Sequence, residues 1–257
     1  MADKNKNRIC LPLLYAEGEF EKRGRETAEH IGCEFGRPQP GEISLLYDES
    51  GLKLTDGTLT LQADFSHLSK RINKNNLNSE MIVKCAKIKG RENPVLIDAT
   101  AGFGEDSFLL AAAGFNVTLC EYNPVISALL SDAITRAFED EKTKAVAERL
   151  TLYEGDSIEY LSSLDFTPDA VLLDPMFPER QKSALVKKKF QLLQKLESPC
   201  SDEDELLEAA LDAHPHKIVI KRPLKGPFLA GRKPDYSLQG KAIRYDCIVL
   251  ANSPDER

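Results

Sequence analysis

The stretch Val95-Leu96-Ile97-Asp98-Ala99-Thr100-Ala101-Gly102-Phe103-Gly104-Glu105-Asp106 constrains this chain more than any other. Three apolar residues, two of them β-branched, make a short buried strand, and Asp98 stands at its C-terminal edge. Small residues and two glycines then turn the chain into a helix over 105–113. A strand, a glycine-rich turn and a helix N-terminus build the ligand crevice of an open α/β sheet. Glycine lets the backbone approach a ligand that a Cβ would push away.

The pattern repeats downstream. Strands are expected at 116–120, 150–153, 170–173 and 217–221, with 236–240 and 243–251 as a closing antiparallel pair. Asn123 caps a helix that begins at Pro124, and Ile126, Leu129, Leu130, Ala133, Ile134 and Ala137 share one face of it. Helices are expected at 183–196 and after Ser201. Strands alternating with helices argue for a parallel sheet covered on both faces. Upstream the texture differs, and the chain divides into 1–78, a small α+β appendage of hairpins with a loop, and 79–257, the α/β domain. In the appendage, strands are expected at 8–14, 42–48, 52–54 and 59–65, and a charged helix at 19–31. Residues 67–78 are polar and asparagine-rich, either a solvated loop or an ordered loop over a site. Ser79 reads as the N-cap of a helix to about residue 88.

Four acids, Asp98, Glu121, Asp156 and Asp174, each follow an expected strand. In a doubly wound sheet those ends line the ligand edge. Glu121 comes 17 residues after Gly104, near the spacing of a carboxylate that binds ribose hydroxyls. Asp156 suits an exocyclic amine such as adenine's, and Asp98 suits a nearby cation. A dinucleotide site expects G-x-G-x-x-G with backbone N–H groups turned to a pyrophosphate. Here the third glycine is Ser107, and Glu105 and Asp106 open the helix, where they would repel phosphate. They suit S-adenosylmethionine, which carries a sulfonium and an ammonium and no phosphate. An oxidoreductase using a nicotinamide or flavin is the rival reading, and a non-catalytic RNA-binding protein of the same fold is a third.

After the fourth strand comes Asp174-Pro175-Met176-Phe177-Pro178. It resembles the D-P-P-[YF] motif of methyltransferases that act on exocyclic amino groups of bases, with Met176 in place of the second proline. There the acid receives the amine and the aromatic stacks on the base. The fit between Asp98–Asp106, Glu121-Tyr122-Asn123-Pro124, the run DPMFPERQKSALVKK from Asp174 to Lys188, and Lys221-Arg222-Pro223 is closer still: it is similar to the RsmJ family. The likeness covers about residues 65–250, departs from the family in the Asn-rich loop and is loose in the appendage. It implies a Rossmann-like class I methyltransferase fold, a mostly parallel seven-stranded sheet with a C-terminal antiparallel pair. It implies methylation of N2 of one guanine in 16S ribosomal RNA, with S-adenosyl-L-methionine as donor and S-adenosyl-L-homocysteine as product. On this resemblance Glu105, Asp106, Glu121, Tyr122, Asp156, Ser157 and Asp174 face the donor, to which the strand end and glycine turn add Asp98, Gly102 and Gly104, and Asp174 and Phe177 of the motif carry the chemistry. Pro175 and Met176 of the motif, with Lys182, Lys187, Lys188, Lys221 and Arg222 of two basic segments, are expected to face the RNA, naked or within the small ribosomal subunit.

Net charge is −7, so an RNA partner must be met by local basic patches. Two exist: residues 179–195 carry a net +5 and residues 216–246 a net +6. The six cysteines show no CxxC spacing and no clustering with histidine, so no zinc site or other metal is expected. No run of about 20 apolar residues offers a membrane span, and the N-terminus has no apolar core after its charges. The expectation is a cytoplasmic protein.

Overall fold

The computed structural model describes residues 11–175, 192 and 202–250. Contacts divide the described chain into two compact units, one of 11–63 with 123–132, the other of 64–122, 133–175 and 202–250.

The first unit holds a four-stranded sheet in the order β1-β2-β3-β4. Its strands are β1 (Leu13–Ala16), β2 (Ser44–Asp48), β3 (Gly51–Thr55) and β4 (Thr60–Leu61). A helix, α1 (Glu21–Ile31), connects β1 to β2, and those two strands are parallel. The expectation of hairpins holds only for β2-β3-β4, which are antiparallel. The parallel pair follows from the intervening helix, because a parallel partner needs a crossover. Gly24 makes that crossover fit. A Cβ on it would sit 2.7 Å from Ala16 Cβ, so only glycine lets α1 lie this close to β1. Tyr47 donates its hydroxyl to Asp132 Oδ1 at 2.9 Å, anchoring β2 to a long helix, α5 (Pro124–Glu139).

The second unit carries a seven-stranded sheet in the order β10-β11-β9-β8-β5-β6-β7. Its strands are β5 (Val95–Asp98), β6 (Asn116–Glu121), β7 (Leu150–Glu154), β8 (Ala170–Leu173), β9 (Lys217–Pro223), β10 (Tyr236–Gln239) and β11 (Ile243–Val249). The first five are parallel, and β11 and β10 close the edge antiparallel, as the sequence led us to expect. Strand order reverses between β5 and β8, which opens a crevice beyond their C-terminal ends. All four residues of β8 are fully buried, the continuous apolar run of a strand covered on both faces. One cover is a helix, α8 (Glu203–Asp212), whose Leu206, Leu207 and Ala210 pack with Ile97, Val171, Leu173 and Ile220. The described start of that helix follows Asp202, and the expected cap Ser201 lies outside the described residues, as does the expected helix at 183–196.

Asn123 caps α5 as expected, its Oδ1 accepting from the N–H groups of Val125 and Ile126 at 3.0 and 3.3 Å. Ser79 does not cap the next helix upstream. That helix, α3 (Met81–Ala86), begins two residues later, and the Ser79 hydroxyl donates instead to the Asn76 carbonyl at 2.6 Å. The Asn-rich segment is ordered: a 3₁₀ turn at Ser66–Leu68 precedes a one-turn helix, α2 (Lys74–Leu77), which Asn73 caps. Besides α2, two further short helices went unforeseen, α6 (Lys144–Ala147) and α7 (Ser157–Ser162). No helix among the described residues is long and apolar enough to cross a membrane.

Candidate active site

At the end of β5, Asp98 is buried, with 3% exposure. Its Oδ2 accepts from Ser107 Oγ at 2.6 Å and its Oδ1 from the Thr100 N–H at 3.1 Å. The carboxylate therefore ties the strand to the turn and to the first turn of α4 (Glu105–Ala112). Burial pushes its pKa up to about 7, with Asp106 and Asp174 adding repulsion and the two hydrogen bonds working against the rise. Gly102 and Gly104 both have left-handed backbones, φ +53° and +70°. A Cβ built on Gly102 meets no protein atom within 4 Å, so what glycine supplies there is the backbone conformation.

Glu121, at the end of β6, is 6% exposed, and its Oε2 accepts from the Gly102 N–H at 3.0 Å. It braces the glycine turn from the neighbouring strand. Tyr122 next to it is 56% exposed, a large aromatic surface at the sheet edge. Asp156 caps α7, with Oδ1 accepting from the Ile158 N–H at 2.9 Å, and Ser157 opens that helix. The buried Cys120 thiol is pushed up by burial and then by Asp98, Glu121 and Asp156.

Asp174 follows β8, half-buried, and its N–H donates to Thr100 Oγ1 at 2.6 Å. Lys221 of β9 joins it to α4: Nζ lies 2.8 Å from Asp174 Oδ2 and 2.8 Å from Asp106 Oδ2. The described part of the motif ends at Pro175, which is buried. Met176, Phe177, Lys182, Lys187 and Lys188 lie outside the described residues. Glu105 Oε1 stands 3.5 Å from His67 Nε2, so the Asn-rich segment reaches the first residue of α4. Arg71 of that segment holds Glu80 with two bonds of 2.8 Å.

One expected RNA contact, Arg222, is corrected, and the surroundings of Lys221 are now defined. Arg222 is 1% exposed; it pairs with Glu203 at 3.0 Å and donates to the Pro227 carbonyl at 3.1 Å. Lys221 is turned into the acid cluster rather than outward. Successive residues of a strand face opposite sides of the sheet, so these neighbours have different surroundings. Thr100, Ser107 and His67 were not foreseen. Thr100 lies in the glycine-rich turn and Ser107 in the first turn of α4, and hydroxyl residues are too common at both places to single out either one.

The crevice at the switch point is thus lined by carboxylates, with one ammonium among them and two acids at the start of α4. Such a donor set fits a cationic ligand and not a pyrophosphate. It fits S-adenosylmethionine in chemistry. Among the described residues no group of three or more His, Cys, Asp or Glu is arranged to hold a metal.

Comparison with known proteins agrees. A family model described as "Putative SAM-dependent methyltransferase" matches residues 33–250. The ribosomal RNA small subunit methyltransferase J of Thioalkalivibrio sulfidiphilus is 40% identical over 238 residues, covering 88% of this chain and 93% of its own. The chain belongs to the ribosomal RNA small subunit methyltransferase J family. Its counterpart from Pseudomonas aeruginosa strain UCBPP-PA14 is 37% identical over 253 residues, with 96% of each chain covered. Among solved structures, a SAM-dependent methyltransferase from Neisseria gonorrhoeae superposes with a TM-score of 0.73 at 28% identity, over 94% of this chain and 97% of that one. The sheet order from β7 through β10, with its antiparallel end, is therefore the frame of an S-adenosylmethionine-dependent methyltransferase, and family membership fits that reading better than the nicotinamide or flavin alternative.

Proposed function

We propose that this chain transfers a methyl group from S-adenosylmethionine to the exocyclic N2 of a guanine in 16S ribosomal RNA. Support comes from the family, whose members carry the name of small-subunit ribosomal RNA methyltransferases, and from one observation that carries the chemistry. Asp174, the acid of the base-amine motif, stands at the end of β8 within one ion-paired cluster with Asp106.

The donor side is Asp98, Gly102, Gly104, Glu105, Asp106, Glu121, Tyr122, Asp156, Ser157 and Asp174. Asp98 and Glu121 hold the glycine turn in its left-handed form, and Tyr122 offers a face for a purine. When bound, the donor supplies an electrophilic methyl group on a sulfonium. The rest is positioning. A guanine amine is conjugated to its ring and is a poor nucleophile, so it must be aligned and must lose a proton as the bond forms. Asp174 accepts a hydrogen bond from that amine and turns its lone pair toward the methyl group. The nitrogen becomes cationic as the C–N bond forms and the methyl–sulfur bond breaks, and it then gives up its proton to the Asp174 carboxylate, which therefore favours the transition state over the ground state. Phe177 stacks on the base, and Pro175 and Met176 shape its edge, as expected for a base taken out of its stack. Lys182, Lys187 and Lys188 meet phosphates. On this reading the enzyme works in the cytoplasm on the small subunit or its RNA.

The test is mass mapping of small-subunit RNA from cells with and without the gene. One N2-methylguanine should disappear and return on complementation. Identical maps would overturn the reading.

A further inference from the structure

Three acids converge at the ends of β5, β8 and the start of α4, and one ammonium lies among them. Lys221 Nζ is 2.8 Å from Asp106 Oδ2 and 2.8 Å from Asp174 Oδ2, and its side chain is about one quarter exposed (26%). The backbone N–H of Asp174 is separately held by Thr100 Oγ1 at 2.6 Å. We propose that Lys221 is a positioning residue for methyl transfer, which clamps the Asp174 carboxylate and ties it to Asp106 at the start of α4. The inference rests on the reading of Asp174 as the group that receives the guanine amine.

A bond to Oδ2 fixes the plane of a carboxylate, and with it the directions in which Oδ1 accepts. An ammonium that serves two acids also fixes their separation, so the donor helix and the amine-receiving acid keep one geometry. An alignment error of about 1 Å can cost a reaction about a hundredfold in rate. Among the described residues, the groups around Lys221 come from several elements. Asp106 lies on α4, Asp174 after β8, and Asp98 on β5 interacts with both. Tyr245, the cross-strand partner on β11, is buried, and its hydroxyl is pushed up by burial and by Asp106. Arg71 contributes positive charge to Asp106 from the segment before α2. Burial works against the charge of Lys221, but Asp174 and Asp106 outweigh it and hold the ammonium above its usual range. Without it, Asp174 would share the crevice with two other acids and would take up a proton at higher pH.

The test uses the full chain labelled with ¹³C-carboxyl aspartate, with the Asp174 resonance identified by its loss in Asp174→Asn. Wild type, Lys221→Met and Lys221→Arg are titrated without ligand, then run in single-turnover methyl transfer on small-subunit RNA across pH. The Asp174 titration should move up by about one pH unit or more in Lys221→Met and stay near wild type in Lys221→Arg. The acid limb of the rate profile should move the same way, with the rate at neutral pH down about tenfold and the RNA KM little changed. An unshifted Asp174 titration in folded Lys221→Met, or an unmoved acid limb, would overturn the clamp. A wild type inactive on small-subunit RNA would instead overturn the substrate reading, a separable result.

Discussion

Asp98 shows what a single residue gives up for a binding site. Its pKa stands near 7 because it is buried, and an aspartate in an unfolded chain titrates near 4. The folded state therefore binds this proton more tightly than the unfolded state. Between about pH 4 and pH 7 the unfolded chain releases it first, so this group's contribution to stability falls as pH rises and is flat above about 7. The full swing is on the order of 4 kcal/mol. Asp98→Asn removes it, and the variant should gain stability relative to wild type as pH rises from 4 to 7 while losing affinity for S-adenosylhomocysteine. Urea midpoints across that range and calorimetry check both; parallel midpoint curves would mean that Asp98 does not carry this proton. The strand-end positions of Asp98, Glu121 and Asp174 could be read from the sequence because an acid after an apolar strand is conspicuous. Arg222 could not, because a cluster of basic letters does not say which face of a strand each one takes, and Glu203, its partner, is 19 residues away.

At the scale of elements, the βα turn into α4 sets the crevice. Gly102 is needed for its left-handed φ of +53° and not for lack of room. Gly102→Ala should destabilise the fold by about 1–2 kcal/mol, the cost of that conformation with a Cβ, and Gly102→Asn by less, since asparagine tolerates it. Denaturant unfolding checks this, and an equal loss in both variants would point to a steric cause instead. Strands with apolar runs between polar ends were legible; β8 falls at the residues the pattern predicts. Start signals were less so. Ser79 has the right chemistry for a cap, but its hydroxyl closes the turn before it. The alternation over 59–65 is real, since Leu61, Ala63 and Phe65 are buried, yet only Thr60 and Leu61 pair. Asp64 explains the stop: its Oδ1 accepts from the Ser66 N–H at 3.0 Å and turns the chain into a 3₁₀ segment. The parallel pairing of β1 with β2 spans some thirty residues and has no local pattern to announce it.

For the whole molecule, a net charge of −7 must coexist with an RNA partner. Of the eight basic residues in 216–246, Lys217 donates to the Cys85 and Lys87 carbonyls, and Lys221, Arg222 and Arg244 are engaged within the fold. Lys225, Arg232, Lys233 and Lys241 are exposed. The other basic segment, 179–195, lies outside the described residues apart from Leu192, and it carries a prediction of its own. Reversing Lys187, Lys188 and Lys189 to Glu should weaken RNA binding and flatten its salt dependence while cofactor affinity holds; filter binding at several salt concentrations would show it, and unchanged affinity would move the RNA elsewhere. The central claim is that Asp174 receives the amine on an acid-lined edge built for a cationic donor. Single-turnover methyl transfer to small-subunit RNA at saturating S-adenosylmethionine tests it most directly. Asp174→Ala should nearly abolish transfer and Asp174→Asn should keep a small part, since an amide retains an acceptor and loses the charge, with both variants folded and still binding the RNA. Near-normal rates in folded Asp174→Ala would contradict the account.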